Sequence, residues 1–193
     1  MNEEVKSYFD ALASKWDSFG GPKEAFVTSL IASLPIKESD VILDLACGTG
    51  VLTKALLNSP AKHIIGLDIS AEMIRLAKSK FEDPRVEFIQ GDFYQFNLAV
   101  DHIICFNAYP HFLDRKGFAR IAASSIKDGG ILCIVHDSGR KQLDAHHDAH
   151  AKGVSRHLLS AEEESKVFQN DFEVLEIIDN ESEYKIVLKR RPH

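Results

Sequence analysis

The sequence predicts an α/β fold: a mostly parallel sheet of seven strands with helices on both faces and an antiparallel final strand. Two observations predict it. Five short apolar runs alternate with segments of helical spacing, as in repeated strand–helix–strand units. Two more strand-like segments, 172–178 and 184–189, close the chain. The short turn between them, Asn180-Glu181-Ser182, fits a hairpin, which makes this last pair antiparallel.

Each element follows from a local pattern. The strand-like runs are 41–45, 63–67, 85–89, 100–106 and 131–135. Helical spacing predicts helices over 51–58, 71–80, 114–126 and 161–168. Ser70 and Ser160 stand where helix N-caps are expected. Pro110 predicts a loop after the fourth strand, because proline cannot continue regular structure.

Composition sets limits on the function. The chain has 193 residues, of which 45% are apolar and 27% are charged, so we expect one domain with a real core over residues 1–193. The formal net charge of −6 argues against a broad nucleic-acid interface, which needs a basic face. No apolar run approaches 18 residues, so no membrane span is expected.

The cysteines and the start of the sequence indicate a compartment. Cys47, Cys105 and Cys133 lie in or beside predicted strands without any C-x-x-C pairing. That pattern favours buried thiols in a reducing environment over disulfides or zinc ligands. The first residues are acidic and lack an apolar signal core. We therefore expect a cytoplasmic protein.

The segment 41–50, VILDLACGTG, carries the strongest functional signal. A buried strand ends in small residues and two glycines, and a helix follows. Glycines let the backbone approach a ligand closely, and the helix start offers unpaired N–H groups, so a nucleotide-like cofactor could bind there. The dinucleotide fingerprint fails because Thr53 occupies its third glycine position, and a P-loop fails because no Gly-Lys pair occurs.

Two acidic residues follow in register. Asp68 closes the second strand, 18 residues after Gly50, where a carboxylate can accept hydrogen bonds from both ribose hydroxyls. The alternative is a helix N-cap, but Ser70 is better placed for that role. After the third strand come Asp92 and Phe93. Alone they would be read as a turn followed by a core aromatic residue.

The motif D-x-A-x-G-x-G at 44–50, followed by these acidic residues, resembles motif I of the class I S-adenosylmethionine (SAM)-dependent methyltransferases. Ala46 replaces the first glycine of the usual E/D-x-G-x-G-x-G. The resemblance covers about residues 5–190. It implies a Rossmann-like fold, SAM as the cofactor, and an adenine site at Asp92 and Phe93. The candidate cofactor-binding residues are Asp44, Ala46, Cys47, Gly48, Gly50, Asp68, Ile69, Asp92, Phe93 and Asn107, with Tyr8 and Trp16 from an N-terminal cap.

The N-terminal stretch 1–19 looks like the helix that many small members of this family lay across the SAM site. An amphipathic helix that merely covers the sheet is the plainer interpretation, and both roles are compatible. Ligands of open parallel sheets bind beyond the carboxyl ends of the strands. Gly48, Asp68, Asp92, Asn107 and His136 each follow a different predicted strand, so we expect them at one edge.

Histidines supply the catalytic candidates, His111, His136 and His147. The connection 137–159 is long and rich in histidine, which predicts a lid over the methyl acceptor. A base there would make turnover rise with pH around the ordinary histidine value of about 6.5. No metal site is predicted, although His146 and His150, one helical turn apart, leave one as an alternative.

Methyl transfer to a small-molecule acceptor is the function that the resemblance and the acidic charge favour. Two alternatives stay open. One is an RNA or protein methyltransferase, which a basic rim would favour. The other is a non-catalytic module that binds SAM or a metal. The pattern identifies neither the acceptor atom, among O, N, S and C, nor the oligomeric state.

Overall fold

A computed structural model describes residues 3–192 of the chain. The first two residues of the predicted cap and His193 lie outside the described residues. The chain forms two compact units, one ending at Gln95 and the other beginning at Phe96. No helix among residues 3–192 is long and apolar enough to cross a membrane.

The first unit contains three parallel strands in the order β3-β2-β1. Val41 pairs with His63, and Ile64 pairs with Val86. Its elements, in chain order, are α1 (Glu3–Leu12), a 3₁₀ helix (Ala13–Phe19), α2 (Glu24–Ser33), β1 (Val41–Leu45), α3 (Val51–Leu56), β2 (His63–Asp68), α4 (Ala71–Lys78), β3 (Val86–Gln90) and a 3₁₀ turn (Phe93–Gln95).

The second unit contains four strands in the order β4-β5-β7-β6. β4 and β5 are parallel, whereas β7 runs antiparallel to both of its neighbours. Its elements are β4 (Val100–Phe106), a 3₁₀ turn (Tyr109–His111), α5 (Arg115–Ser125), β5 (Ile126–His136), α6 (Arg140–His150), α7 (Ala161–Ser165), a 3₁₀ turn (Lys166–Phe168), β6 (Phe172–Asp179) and β7 (Tyr184–Arg190).

The predicted fold class is confirmed. All seven predicted strands form, and the final strand is antiparallel. Both predicted serine caps are made, since Ser70 Oγ accepts a hydrogen bond from the Met73 amide and Ser160 Oγ accepts one from the Glu163 amide. These caps fix where α4 and α7 begin, directly after the loops that carry functional candidates.

Three differences from the predicted elements have local causes. The pattern analysis missed α2, whose apolar residues are spread around the helix rather than along one face. β5 begins at Ile126 rather than at residue 131, and the pairing with β4 accommodates the longer strand by a shift in register between Val100 and His102. The predicted N-terminal helix changes to 3₁₀ geometry at Ala13.

A buried carboxylate organises the second unit. Glu164 is fully buried, and its Oε1 accepts hydrogen bonds from Tyr109 Oη at 2.9 Å, Arg115 Nε at 2.6 Å and Arg156 Nη2 at 3.1 Å. Its Oε2 accepts hydrogen bonds from Arg156 Nη1 and from the Leu159 amide, each at 3.4 Å. The Arg156 guanidinium also lies 4.7 Å above the Tyr109 ring. One side chain therefore joins the loop after β4, α5, α7 and the segment before α7.

Replacing Glu164 with glutamine should lower the free energy of unfolding by about 3–5 kcal/mol, because it leaves Arg156 without its buried counter-ion. Glu163→Gln is the matched control, since Glu163 is exposed and pairs with Lys166 on the helix surface. Urea unfolding should give nearly the same midpoint for this control as for the unchanged protein. Equal midpoints for both variants would show that Glu164 does not hold the unit together.

Candidate active site

The turn after β1 has a backbone that small residues permit. Ala46, Gly48 and Gly50 all have positive φ angles, of 58°, 54° and 96°. At Gly50 a Cβ would lie 2.5 Å from Phe81 Cε2, so a larger residue would collide with the ring as well as strain the backbone. At Gly48 a Cβ would meet only Trp16 Nε1, at 3.5 Å. The sequence motif therefore forms a bare, tightly curved backbone cradle.

Asp68 braces this cradle from the end of β2. Its Oδ2 accepts a hydrogen bond from the Gly48 amide at 2.8 Å, and its Oδ1 accepts one from the Ser70 amide at 2.9 Å. The carboxylate is 8% exposed. It thus lies between the glycine turn and the start of α4, at the position where the sequence predicted a carboxylate that binds the ribose.

Asp44 and Cys47 lie beneath the cradle. Asp44 is buried and accepts a hydrogen bond from Thr53 Oγ1 at 2.5 Å, which joins β1 to α3. Cys47 packs with Ile74, Ala77 and Phe88 in the core. In this structure both residues shape the turn from below, and their predicted contact with the cofactor remains a prediction.

Burial raises the pKa of both aspartates. Desolvation raises the pKa of Asp68 to about 6 and that of Asp44 to about 7, although hydrogen bonds to each carboxylate oppose the change. The two charges also repel each other at Asp44. A ligand that donates hydrogen bonds to Asp68 would favour its ionised form.

The end of β3 supplies the predicted adenine residues. Asp92 and Phe93 are both buried, and Asp92 Oδ1 accepts a hydrogen bond from the Tyr94 amide at 3.0 Å. The Ile69 carbonyl accepts one from Gln90 Nε2 at 3.1 Å. Since β1, β2 and β3 are parallel, the glycine turn, Asp68 and Asp92 follow the carboxyl ends of three neighbouring strands, as predicted.

The N-terminal segment is tied to this edge by two carboxylates to which the sequence pattern assigned no role. Asp17 Oδ1 accepts a hydrogen bond from Thr49 Oγ1, within the glycine turn, at 2.6 Å. Asp10 Oδ1 accepts one from Ser70 Oγ at 2.6 Å. Lys80 also pairs with Asp17, and together with Thr49 it holds the pKa of Asp17 below its usual range. The partners of these two aspartates lie far away in the sequence, so no local sequence pattern could link them.

Aromatic rings continue along the same segment. Tyr8 and Phe9 are 5.2 Å apart, Phe9 and Trp16 are 5.7 Å apart, and Trp16 and Phe19 are 6.3 Å apart, all with edge-to-face geometry. Trp16 is the member of this row that lies beside Gly48. Tyr8 is half-buried, and desolvation raises its pKa. The predicted cap residues therefore form one aromatic row beside the glycine turn.

In the second unit, the ends of β4 and β5 are joined. Asn107, with a φ of 53°, donates a hydrogen bond from Nδ2 to Asp137 Oδ1 at 2.9 Å, and its Oδ1 accepts one from the Asp137 amide at 3.1 Å. Its side chain is therefore engaged with Asp137 in this structure. The predicted role of Asn107 toward the cofactor remains a prediction.

The structure brings the three predicted catalytic histidines together. The rings of His111 and His147 are 5.1 Å apart and edge-to-face. His136, at the end of β5, is completely buried, and both other histidines are close enough to influence its charge. Within residues 3–192, both ring nitrogens of His136 lack a hydrogen-bond partner, and so does Nδ1 of His147. His111 Nδ1 lies 2.9 Å from the Val154 carbonyl, to which it donates.

Burial keeps this cluster uncharged. Desolvation lowers the pKa of His136 to about 3 and that of His111 to about 4, and it also lowers the pKa of His147. The sequence-based expectation of a base titrating near 6.5 assumed an ordinary environment. The structure instead gives three neutral imidazoles near neutral pH.

His146 and His150, the alternative metal ligands, stack on the surface of α6 with ring centroids 4.7 Å apart. His150 Nδ1 lies 3.1 Å from the His146 carbonyl, so this nitrogen is engaged within the helix. No group of three or more histidine, cysteine or acidic residues within 3–192 is arranged to hold a metal ion. A metal here would have to rely on these two residues.

Comparison with known proteins agrees with the class that these motifs define. A methyltransferase-domain family model matches residues 42–130. An uncharacterized protein of Methanocaldococcus jannaschii is 35% identical over 130 residues, which cover 66% of this chain and 49% of that protein. A malonyl-[acyl-carrier protein] O-methyltransferase of Acetivibrio thermocellus is 30% identical over 135 residues, which cover 67% and 48%. The chain thus spans about half the length of these relatives.

Solved structures share the fold over almost the whole chain. The complex between the Haloferax volcanii Trm112 methyltransferase activator and a methyltransferase gives a TM-score of 0.85 at 20% identity, covering 98% of both chains. A magnesium protoporphyrin IX methyltransferase of Synechocystis with bound SAH gives 0.74 at 18% identity, covering 98% of this chain and 100% of that one. The predicted resemblance to class I SAM-dependent methyltransferases is confirmed, and with it SAM as the cofactor of the class.

Acidification should weaken SAM binding. The pKa of Asp68 is about 6, and its ionised carboxylate is the better acceptor for ribose hydroxyls. Below that pH the neutral acid predominates, so Kd should rise by up to about tenfold for each pH unit. Calorimetry of SAM binding at a series of pH values from about 5 to 8, the range in which histidine also titrates, measures this dependence.

The same measurement on Asp68→Asn should show binding about 10- to 100-fold weaker at neutral pH, with the component near pH 6 absent. Asp83→Asn serves as the control, because Asp83 is a carboxylate that pairs with Arg85 before β3. It should bind SAM as the unchanged chain does. Unaltered SAM affinity in Asp68→Asn would remove Asp68 from the cofactor site.

Proposed function

We propose that this chain is a SAM-dependent methyltransferase that acts on a small-molecule acceptor. The observation that supports it most is the Asp68 carboxylate braced against the bare backbone of Gly48, beside the buried pair Asp92 and Phe93. This cradle fits a nucleoside: small residues for close approach, a carboxylate for the ribose, and an apolar ring for the base. When bound, SAM supplies an activated methyl group and its own leaving group.

The protein's contribution to such a reaction is alignment and the exclusion of water. We assign alignment of the cofactor to the turn 46–50, with Asp68, Ile69, Asp92 and Phe93. Exclusion of water falls to the cap, where Tyr8 and Trp16 form part of the aromatic row. We propose that residues 1–193 act as a single methyltransferase domain, with 1–19 as its cap and 137–159 as its lid.

Two further features support a small acceptor. The net charge of −6 offers no broad attraction to nucleic acid. Matched proteins include one named for magnesium protoporphyrin IX, which is a small molecule. We place the acceptor on the second unit, near His111, His136 and His147. A cytoplasmic location remains a prediction of the cysteine pattern.

A protein partner is a separate possibility that the sequence did not suggest. The Haloferax volcanii structure, similar over 98% of both chains, was solved with a methyltransferase activator. We therefore include an activator subunit among the candidate partners. If the chain binds SAM but transfers no methyl group alone, activity assays should be repeated with such a subunit from the same source.

Replacing Trp16 with alanine should weaken SAM binding by about 2- to 30-fold, because an aromatic face near a sulfonium contributes roughly 0.5–2 kcal/mol through a cation–π interaction. S-adenosylhomocysteine carries no sulfonium, so its affinity should fall less. Phe19→Ala is the control, since Phe19 ends the same row and is 62% exposed. Equal losses for the two ligands would mean that Trp16 only covers the site.

Release of S-adenosylhomocysteine tests the function directly. The chain is incubated with SAM and with pools of small molecules that carry oxygen, nitrogen, sulfur or carbon nucleophiles. We expect release that depends on a pool member and is at least about tenfold slower in Asp68→Asn under limiting SAM. RNA and protein extracts run in parallel. Release only with those extracts would favour an RNA or protein methyltransferase, and SAM binding without any release would favour a non-catalytic module.

A further inference from the structure

The helix α6 is attached to the second unit in an unusual way. Of its 11 residues, all of which the structure describes, only His147 is buried. Amphipathic helices normally pack through a stripe of apolar side chains. Here the single buried side chain is a polar ring, 8% exposed, and its Nδ1 has no hydrogen-bond partner within residues 3–192.

Polar contacts at the surface hold the rest of α6. Asp144 Oδ1 accepts a hydrogen bond from the Leu158 amide at 3.2 Å, and Asp148 pairs with His157 at 2.8 Å. Arg140 lies 3.6 Å from Asp179. Exposed ion pairs contribute little to stability. A helix with so little buried apolar area belongs to the least stable part of a domain, which is where lids occur.

His136, the last residue of β5, has two ring nitrogens without a hydrogen-bond partner within residues 3–192. It is completely buried, and the nearest aromatic ring, that of Tyr184, is 6.1 Å away and edge-on. Leaving a buried donor or acceptor unsatisfied is costly, so buried polar atoms are nearly always paired in native proteins. Three such atoms in one cluster indicate that something else completes it.

The chemistry of the cluster selects what can complete it. A neutral imidazole offers one N–H donor and one lone pair. A carboxylate can only accept hydrogen bonds, and an ammonium group can only donate them. A hydroxyl does both, so it can accept from one ring and donate to the other. No carboxylate is hydrogen-bonded to His136 or His147 in the described chain, and burial disfavours a charged ligand.

We propose that α6 is a lid over an acceptor site in which His136 and His147 bind an uncharged hydroxyl group of the methyl acceptor. This inference rests on the proposed function and narrows the acceptor to alcohols or phenols. His111 borders the site and is oriented by the Val154 carbonyl. His136 and His147 act here as hydrogen-bonding groups that position the hydroxyl.

The test uses the full chain, labelled with ¹⁵N, and follows the histidine ring nitrogens by NMR. Phenol and methanol are the hydroxyl probes. Benzoate and toluene are the matched anionic and apolar controls. We expect phenol or methanol to shift the signals of His136 and His147 and to slow amide exchange in α6, while benzoate and toluene leave them unchanged.

Variants establish which residues respond. His136→Phe should weaken phenol binding by about tenfold or more, since it removes both unpartnered nitrogens. His147→Leu gives a second test if His136→Phe does not fold, and it should weaken binding similarly while attaching α6 more firmly. His63→Gln is the control, because His63 is a histidine of the first unit that pairs with Glu87, so this variant should bind phenol as the unchanged chain does.

Several results would overturn the inference. These are equal shifts with benzoate or toluene, no shift with either hydroxyl probe up to its solubility limit, or unchanged phenol affinity in both cluster variants. SAM calorimetry on the same samples keeps the proposed function separate. If SAM binds and methyl transfer occurs only to carboxylates or amines, the function stands and the hydroxyl site falls. If phenol binds but SAM does not, the function falls and the binding site stands.

Discussion

The first unit depends on one buried carboxylate. Asp68 accepts hydrogen bonds from the Gly48 and Ser70 amides, so it fixes the glycine turn relative to the start of α4. A carboxylate this buried needs donors, and the two amides supply them; burial raises the pKa of Asp68, and these hydrogen bonds partly oppose that rise. These hydrogen bonds hold the glycine turn in place within the protein itself, which would reduce the ordering that binding at the proposed cofactor site requires.

Glu164 is likewise a buried carboxylate that several hydrogen-bond donors hold in place, in the second unit. Its donors are two arginines, a tyrosine and an amide, so positive charge surrounds the anion. The loop after β4 and the segment before α7 are both fixed by these bonds. Both flank the histidine cluster, since His111 follows Tyr109 by two residues and Val154 precedes Arg156 by two. The support of the candidate acceptor site is thus electrostatic as well as apolar.

The sequence was informative wherever chemistry is local. The glycine turn, Asp68 and both serine caps are set by short-range patterns, and all lie where predicted. Patterns failed where distant residues decide. The sequence pattern assigned no role to Asp17, because its partner Thr49 lies 32 residues away. Glu164 looked like one of three acids in a helix first turn, although burial and two arginines give it a structural role. The prediction of a histidine base that titrates near 6.5 was wrong for the same reason, because desolvation depends on the packed fold and not on the local sequence.

A comparison of Glu164 with His136 shows what is unusual about the histidine cluster. Both are completely buried polar side chains of the second unit. One has five hydrogen bonds, and the other has none among the described residues. The second unit thus supplies a full set of hydrogen-bond donors to its buried carboxylate. A general shortage of hydrogen-bonding groups therefore does not explain why the rings of the histidine cluster lack partners. One of the unpartnered ring nitrogens belongs to His147 of α6, which, unlike the other helices within residues 3–192, buries no apolar residue, and the other two belong to His136. This combination of unpartnered buried rings and a weakly attached helix is the basis for the acceptor site that we propose.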